Sequence, residues 1–301
     1  MSTQNVLFDV PGPRARRRHA LLALLGTVIV LGLLYVAVRK MQDANQLQGA
    51  MWKPFVTDRS VWRDYLLPGL WGTFKAAAIS IVLAAAWGLL FGIGRLSTVA
   101  PIRWFCGVVV EFFRSVPVLI MMIAAFGLYS RSGTFAPETA PLAGVVTGLT
   151  LYNGSVIAEL VRSGVFSLPR GQGEAGLSIG LTAGQVLRSV QLPQALTAML
   201  PALIGQFVTI LKDSALGYAI TYLELLNWAK TLGSSFANTV PAYIVAAILF
   251  IVINYALSRL AVAVERRLSR RGRTTLHATG PLPEGEPAEP VVAGPGPVAG
   301  R

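Results

Sequence analysis

Six stretches of this 301-residue chain carry no charged side chain: 20–38, 76–94, 115–130, 139–158, 189–211 and 231–258. A hydrocarbon core about 30 Å thick takes roughly 20 residues of helix at a rise of ~1.5 Å per residue. Nearly every interval is long enough to cross. The run 115–130 is short, and it reaches span length by extending toward Trp104, with Glu111 and Arg114 tolerated inside. The runs are continuous and lack the period-2 alternation of a membrane barrel. The predicted fold class is therefore an all-α polytopic membrane protein, a six-helix bundle with spans near 20–38, 69–94, 104–128, 141–162, 194–222 and 241–264.

Composition supports a non-aqueous surrounding. Charged residues make up 13% of the chain, against roughly 25% in soluble domains. Cys106 is the sole cysteine, and His19 and His277 lie near opposite ends, which leaves no Cys/His metal constellation and no intrachain disulfide. The basic run RARRRH at 14–19 before an apolar segment has the look of a signal peptide. The segment exceeds the roughly 7–15 residues of such a core, and Arg39-Lys40 stands where small residues would be needed for cleavage. An uncleaved first helix, residues 20–40, is the better reading.

Lys and Arg placement sets the expected orientation. Six spans put both termini on one side, with the loops 95–103 and 163–193. That side collects Arg14, Arg16, Arg17, Arg18, Arg95, Arg103, Arg170, Arg188 and the run of arginines from Arg259 to Arg273. The opposite side holds Arg39, Lys40, Lys53, Arg59, Arg63, Arg131 and Lys230. Both termini are therefore predicted in the cytoplasm of a multi-pass plasma-membrane protein. The net charge of +12 then records topology, and a nucleic-acid partner is not needed to explain it. Residues 1–19 read as a cytoplasmic basic arm. The segment 41–68, with Trp52, Phe55, Trp62 and Tyr65, suits an extracytoplasmic interfacial belt against membrane lipid. A core at 69–265 follows. The tail 266–301, rich in Pro, Gly and Glu, cannot bury enough apolar surface to fold. Inside the core, Gly88-Leu-Leu-Phe-Gly92 and Gly144-Val-Val-Thr-Gly148 have the spacing that lets helix backbones approach closely.

The cytoplasmic stretch GQGEAGLSIGLTAGQVLRSVQLPQAL at 171–196 is built differently. Thr182 followed by Gln185 has capping-box spacing for a short helix. A turn or two from Glu174 can end at Gly180, where positive φ is free, and Pro193 suits the first turn of the next helix. Two short helices around Gly180 are predicted, with Gly173 and Gly176 leaving little bulk. Either an ordinary glycine-rich loop or a docking element fits this pattern.

These residues carry a resemblance. EAGLSIG at 174–180, followed by QLPQAL at 191–196, resembles the EAA loop of ABC-importer permeases, whose coupling helices sit in a groove of the ATPase subunit. RSVPVLI at 114–120, AELVRSGVFSLPRGQGEAG at 158–176 and QFVTILKDSALGYAI at 206–220 resemble the polar amino-acid branch, and the similarity covers roughly 69–265. The first helix and the arm VLFDVPGPRARRR are most similar to glutamate-importer permease subunits. The resemblance implies a type I importer permease fold, with Glu174, Ala175, Gly176, Gly180, Leu192 and Pro193 coupling to the ATPase through a loop at 165–193. Where the family carries a second motif alanine this chain has Gly176, and Met121 and Ala215 also depart from its pattern.

Ionisable side chains inside a bilayer each cost roughly 2.5–3.5 kcal/mol on insertion scales, so each needs a reason. Lys212 and Asp213 are expected well inside the fifth span, either lining a translocation path or forming a structural ion pair. Glu111 with Arg114, and Glu159 with Arg162, sit one turn apart and can pair locally. Arg114, Pro117, Glu159, Lys212, Asp213 and Ser214 are the candidate substrate-path residues.

No GxxxxGK(S/T) phosphate loop is present. The chain is accordingly expected to be no enzyme and to hold no cofactor, with ATP and Mg on a partner. The resemblance implies ATPase subunits, a second permease subunit (homologous chain or self) and an extracytoplasmic amino-acid-binding protein, in an importer of amino acids, glutamate by the similarity of the first helix. The rival class, an ion-coupled secondary transporter or channel, would show discontinuous helices in two related halves; no such halves are visible.

Overall fold

The computed structural model describes residues 12–273, and all its regular elements are helical. Of the expected arm 1–19 and tail 266–301, residues 1–11 and 274–301 lie outside the described residues, while 13–19 open the first helix and 266–273, expected to be unfolded, continue the last. Helix α1 (Pro13–Asp43) opens with proline in its first turn and already encloses Arg14 to Arg18. No α1 residue is buried. Two one-turn helices follow, α2 (Gly49–Trp52) and α3 (Pro54–Thr57). A wide π-type turn at Val61–Leu66 then leads into α4 (Leu67–Arg95).

Next come α5 (Ala100–Ser115) and α6 (Val118–Ser132), bent by 99° relative to each other. The expected continuous span at 104–128 is thus corrected: it is a broken pair. Pro117 disfavours helical geometry in the residue before it, and Val116 is extended, with φ −89° and ψ 128°. Helix α5 leaves Trp104, Phe105 and Phe112 exposed and buries Cys106 and Val110. That one-sided pattern is that of a helix lying along an interface.

Helix α7 (Ala140–Phe166) is the central post. It contributes buried residues along its whole length, with α4, α6 and α10 packed along it. The hairpin α8 (Arg170–Ser178) and α9 (Ala183–Val186) follows, then a π-type segment Leu187–Gln191 and α10 (Leu192–Asp213). A 3-10 helix at Ser214–Ile220, α11 (Leu225–Ser235) and α12 (Thr239–Arg273) complete the described chain. The α-helix of the fifth span ends at Asp213, and the remainder of the expected 194–222 segment is 3-10 helix and turn. Among the described residues, five helical segments are long and apolar enough to cross a membrane, and the bent α5–α6 pair makes a sixth crossing if counted as one span.

Glycines explain how the post is dressed. A Cβ on Gly92 would lie 2.8 Å from Val161 Cβ, and one on Gly88 would lie 2.9 Å from the Gly154 carbonyl oxygen. One on Gly148 would meet the Met122 backbone nitrogen at 2.9 Å. The small residues of α4 therefore seat against α7, and those of α7 against α6, through close backbone approach, which substitutes for the hydrophobic drive that lipid does not supply. Between α7 and α10, Gln206 Nε2 donates to Asn153 Oδ1 at 2.5 Å, and Asn153 is fully buried. A second apolar cluster, including Phe55, Val61, Leu66, Leu225 and Leu232, closes the end of the bundle opposite the hairpin.

Candidate functional site

The α8–α9 hairpin closes on itself through small residues. A Cβ on Gly176 would fall 2.7 Å from Val186 Cγ2, so glycine is needed there for the two short helices to meet. Gly180 turns the chain between them with φ +87°, a conformation L side chains rarely adopt, and no atom lies within 4 Å of its built Cβ. The capping box forms as the spacing predicts: the Thr182 N–H donates to Gln185 Oε1 at 2.8 Å, and the Gln185 N–H donates to Thr182 Oγ1 at 3.4 Å. Helix α8 starts at Arg170, before Glu174, and α9 runs through the π-type segment straight into α10. Glu174, Ala175 and Pro193 are exposed, Leu192 is half-buried, and Pro193 sits in the first turn of α10. Most telling are Leu177 and Ile179, exposed to 54% and 77% on the outer surface of the hairpin. Sequence reasoning passed over both because neither is polar or conformationally special.

Beside the hairpin, at the adjoining ends of α4, α5 and α7, five charged side chains converge. Arg95 donates through Nη1 to Glu159 Oε2 at 2.7 Å and through Nη2 to Glu111 Oε1 at 3.1 Å. Arg162 Nη2 meets Glu159 Oε1 at 2.5 Å. Arg114 Nη1 lies 3.3 Å from Glu111 Oε1 and 3.6 Å from Glu159 Oε2. The two local pairs expected from their spacing both form, and Arg95 joins them into one network. Arg95 is separated from Glu159 by 64 positions, so no local signal pointed to it. Arg114 and Glu159 thereby have structural partners, while Pro117 marks the α5–α6 break.

Lys212 and Asp213 lie within the fifth apolar crossing segment, Ala183–Ile220. They are the last residues of α10, at its end away from the hairpin, and no salt bridge joins them among the described residues. Asp213 is half-buried, and Ser214 is buried with its hydroxyl donating to the Leu211 carbonyl oxygen at 2.7 Å. Lys212 is exposed and lines a groove of about 300 Å³ between α10 and α12, together with Pro201, Gly205, Thr209, Ser258 and Val262. Beyond α10, Glu224 is fully buried and accepts the backbone N–H groups of Leu226 and Asn227 at 2.7 and 2.8 Å, capping α11. Burial pushes its carboxyl up to about 7, against the lowering pull of those two donors.

Comparison with known proteins agrees with this architecture. Residues 84–270 match the family described as binding-protein-dependent transport system inner membrane component. The chain is 46% identical over 240 residues to the glutamate transport system permease protein GluD of Corynebacterium glutamicum, covering 80% of this chain and 87% of the relative. It is 29% identical to the glutamate/aspartate import permease protein GltK of Escherichia coli, covering 67% of this chain and 93% of that one. The crystal structure of an amino acid ABC transporter with histidines superposes with a TM-score of 0.63 at 27% identity, over 68% of this chain and 95% of that one. A family match over most of the chain, a relative this similar and a shared permease fold lead to one conclusion: the chain belongs to the binding-protein-dependent transport system inner membrane components, the membrane-spanning permease subunits of ABC importers.

Proposed function

We propose that this permease imports glutamate, with both termini in the cytoplasm, and that residues 171–196 receive the stroke of a separate ATPase. Its partners are ATPase subunits that bind ATP and Mg, a second permease subunit (a related chain or a second copy) and an extracytoplasmic amino-acid-binding protein. The observation that carries the coupling assignment is the pair of apolar side chains, Leu177 and Ile179, standing exposed on a hairpin already closed by Gly176 and Val186. Large exposed apolar groups on a short, folded projection suit a protein groove. Glu174, Ala175, Gly180, Leu192 and Pro193 shape or flank that projection. ATP-driven closure of the paired ATPases would draw two such hairpins together and bias the bundle between inward-open and outward-open states.

Two observations support an acidic substrate: the 46% identity to a protein named as a glutamate permease, and the exposed ammonium of Lys212 in the α10–α12 groove. A cation on a membrane-crossing helix is costly against lipid, so the groove is assigned to the hydrated path. Asp213, beside it, modulates that charge. Ser214 supports the helix end, and Arg114, Pro117 and Glu159 brace the hairpin end of the path. The test is uptake of labelled glutamate by the reconstituted complex, with aspartate, glutamine and histidine as competitors. Ile179→Asp is expected to abolish ATP-driven uptake and ATPase co-purification together, while Lys212→Met abolishes uptake with the complex intact. Normal uptake by Ile179→Asp would overturn the coupling assignment. Competition by histidine or glutamine in preference to aspartate would overturn the substrate.

A further inference from the structure

A cavity of about 610 Å³ lies where α9 faces the end of α4. Leu90 and Ile93 of the last turns of α4, with Ile102 of α5, form an apolar floor. Ser97 and Thr98 of the α4–α5 turn and Arg188 of the π-type segment form a polar rim, and no carboxylate lines the cavity. Arg103 does not line the cavity but reaches its edge, its Nη1 donating to the carbonyl oxygen of the lining residue Ser97 at 3.0 Å. Neither Arg103 nor Arg188 enters an ion pair among the described residues, in contrast to Arg95, Arg114 and Arg162 nearby. The depth of the cavity follows from its walls. Helix α4 is a membrane crossing that ends at Arg95, and α5 runs at 99° to α6 with its aromatic side exposed. The α4–α5 turn therefore sits at headgroup level, with the floor toward hydrocarbon and the rim toward water.

We infer that this cavity holds an anionic glycerophospholipid of the leaflet on the hairpin side, with its phosphate against Arg188 and Arg103 and its first acyl carbons over Leu90 and Ile93. Basic pockets between membrane helices recognise such headgroups, and a polar rim whose one charged residue is Arg188, with Arg103 at its edge, supplies the charge complementarity. A free phosphate would use the rim and leave the apolar floor wet, which is why a lipid is the assigned source. The bound lipid would tie the end of α4 to the coupling hairpin, so anionic lipid content would tune how far the hairpin can move. The inference rests on the orientation proposed above only for naming the leaflet as cytoplasmic.

The test uses the whole complex in nanodiscs of phosphatidylcholine with or without phosphatidylglycerol, extracted and weighed by native mass spectrometry. Wild-type complex is expected to retain phosphatidylglycerol. Arg188→Gln should weaken retention about fivefold, the effect of one basic side chain near an anionic surface. Ser97→Asp, placed on α4's side of the cavity and outside the coupling stretch, should weaken it at least as much, and Arg170→Gln, away from the rim, should leave it unchanged. ATPase association is scored in the same spectra, so loss of lipid with the ATPase still bound bears on the cavity alone, and loss of the ATPase bears on coupling. Absence of retained phosphatidylglycerol in wild type, as when an ATPase element fills the cavity, would overturn the inference. So would equal retention by Ser97→Asp, or displacement of the lipid by glycerol 3-phosphate at concentrations that also saturate the site in neutral discs.

Discussion

Glu159 alone answers three guanidinium groups, those of Arg95, Arg114 and Arg162, and its side chain is only 21% exposed. Arg95 is more enclosed still, at 13%. Removing the shared carboxylate leaves the enclosed Arg95 with Glu111 alone, whose pull is screened by water at 56% exposure. Breaking a buried pair costs about 3–5 kcal/mol, and partial exposure reduces that for Glu159→Gln to about 1–3 kcal/mol. Glu111→Gln should cost under about 1 kcal/mol. Thermal unfolding of the two variants in detergent checks the contrast, and equal losses would mean that the network does not centre on Glu159. Half of this site was legible from sequence: the two pairs one turn apart follow from helix geometry, whatever the tertiary fold. Arg95 was not, because its role depends on α4 and α7 lying side by side, and the end of α10 at Asp213 was not, because charge-free length does not reveal where an α-helix becomes a 3-10 helix.

Among the elements, α4 and α7 form the least deformable pair. Their contact is built from Gly88, Gly92 and Gly154, and a Cβ at Gly154 would approach Trp87 Cδ1 to 2.7 Å. The crossing helices and the Gly-rich packing were visible in the sequence because apolar run length and small-residue spacing are local properties. The break between α5 and α6 was missed for the opposite reason. Extending the short run 115–130 across Glu111 and Arg114 preserved span length but ignored the restriction that Pro117 places on Val116. At 15 residues, α6 is roughly 22 Å long and falls short of a ~30 Å hydrocarbon core by itself. Rigidity in α4–α7 and a break in α5–α6 divide the bundle into a strut and a joint. Gly154→Leu should therefore separate the strut and destabilise the fold by about 1–3 kcal/mol, the usual cost of overpacking. Unchanged thermal stability in detergent would show that α4 and α7 are free to move apart.

The whole molecule is organised as a line of transmission along α7. One end of that helix carries Glu159 and Arg162 and passes within a few residues into α8; its middle holds Asn153 against Gln206 of α10, the helix whose last turn carries Lys212. A push on the hairpin thus reaches the groove through packed helices and one buried hydrogen bond, while α1, with none of its residues buried, stands aside from the line. This arrangement couples ATP to import only if the hairpin faces the cytoplasm, and the asymmetric distribution of arginines is the reason to place it there. The orientation can be read directly by cysteine labelling, because Cys106 is buried and can be replaced by serine. Gly171→Cys at the start of α8, where a side chain meets nothing within 4 Å, and Ala50→Cys in the exposed part of α2, report the two ends. A membrane-impermeant maleimide applied to intact spheroplasts should label Ala50→Cys and leave Gly171→Cys unmodified until the membrane is opened. The reverse pattern would invert the molecule and remove the hairpin from any ATP-driven partner.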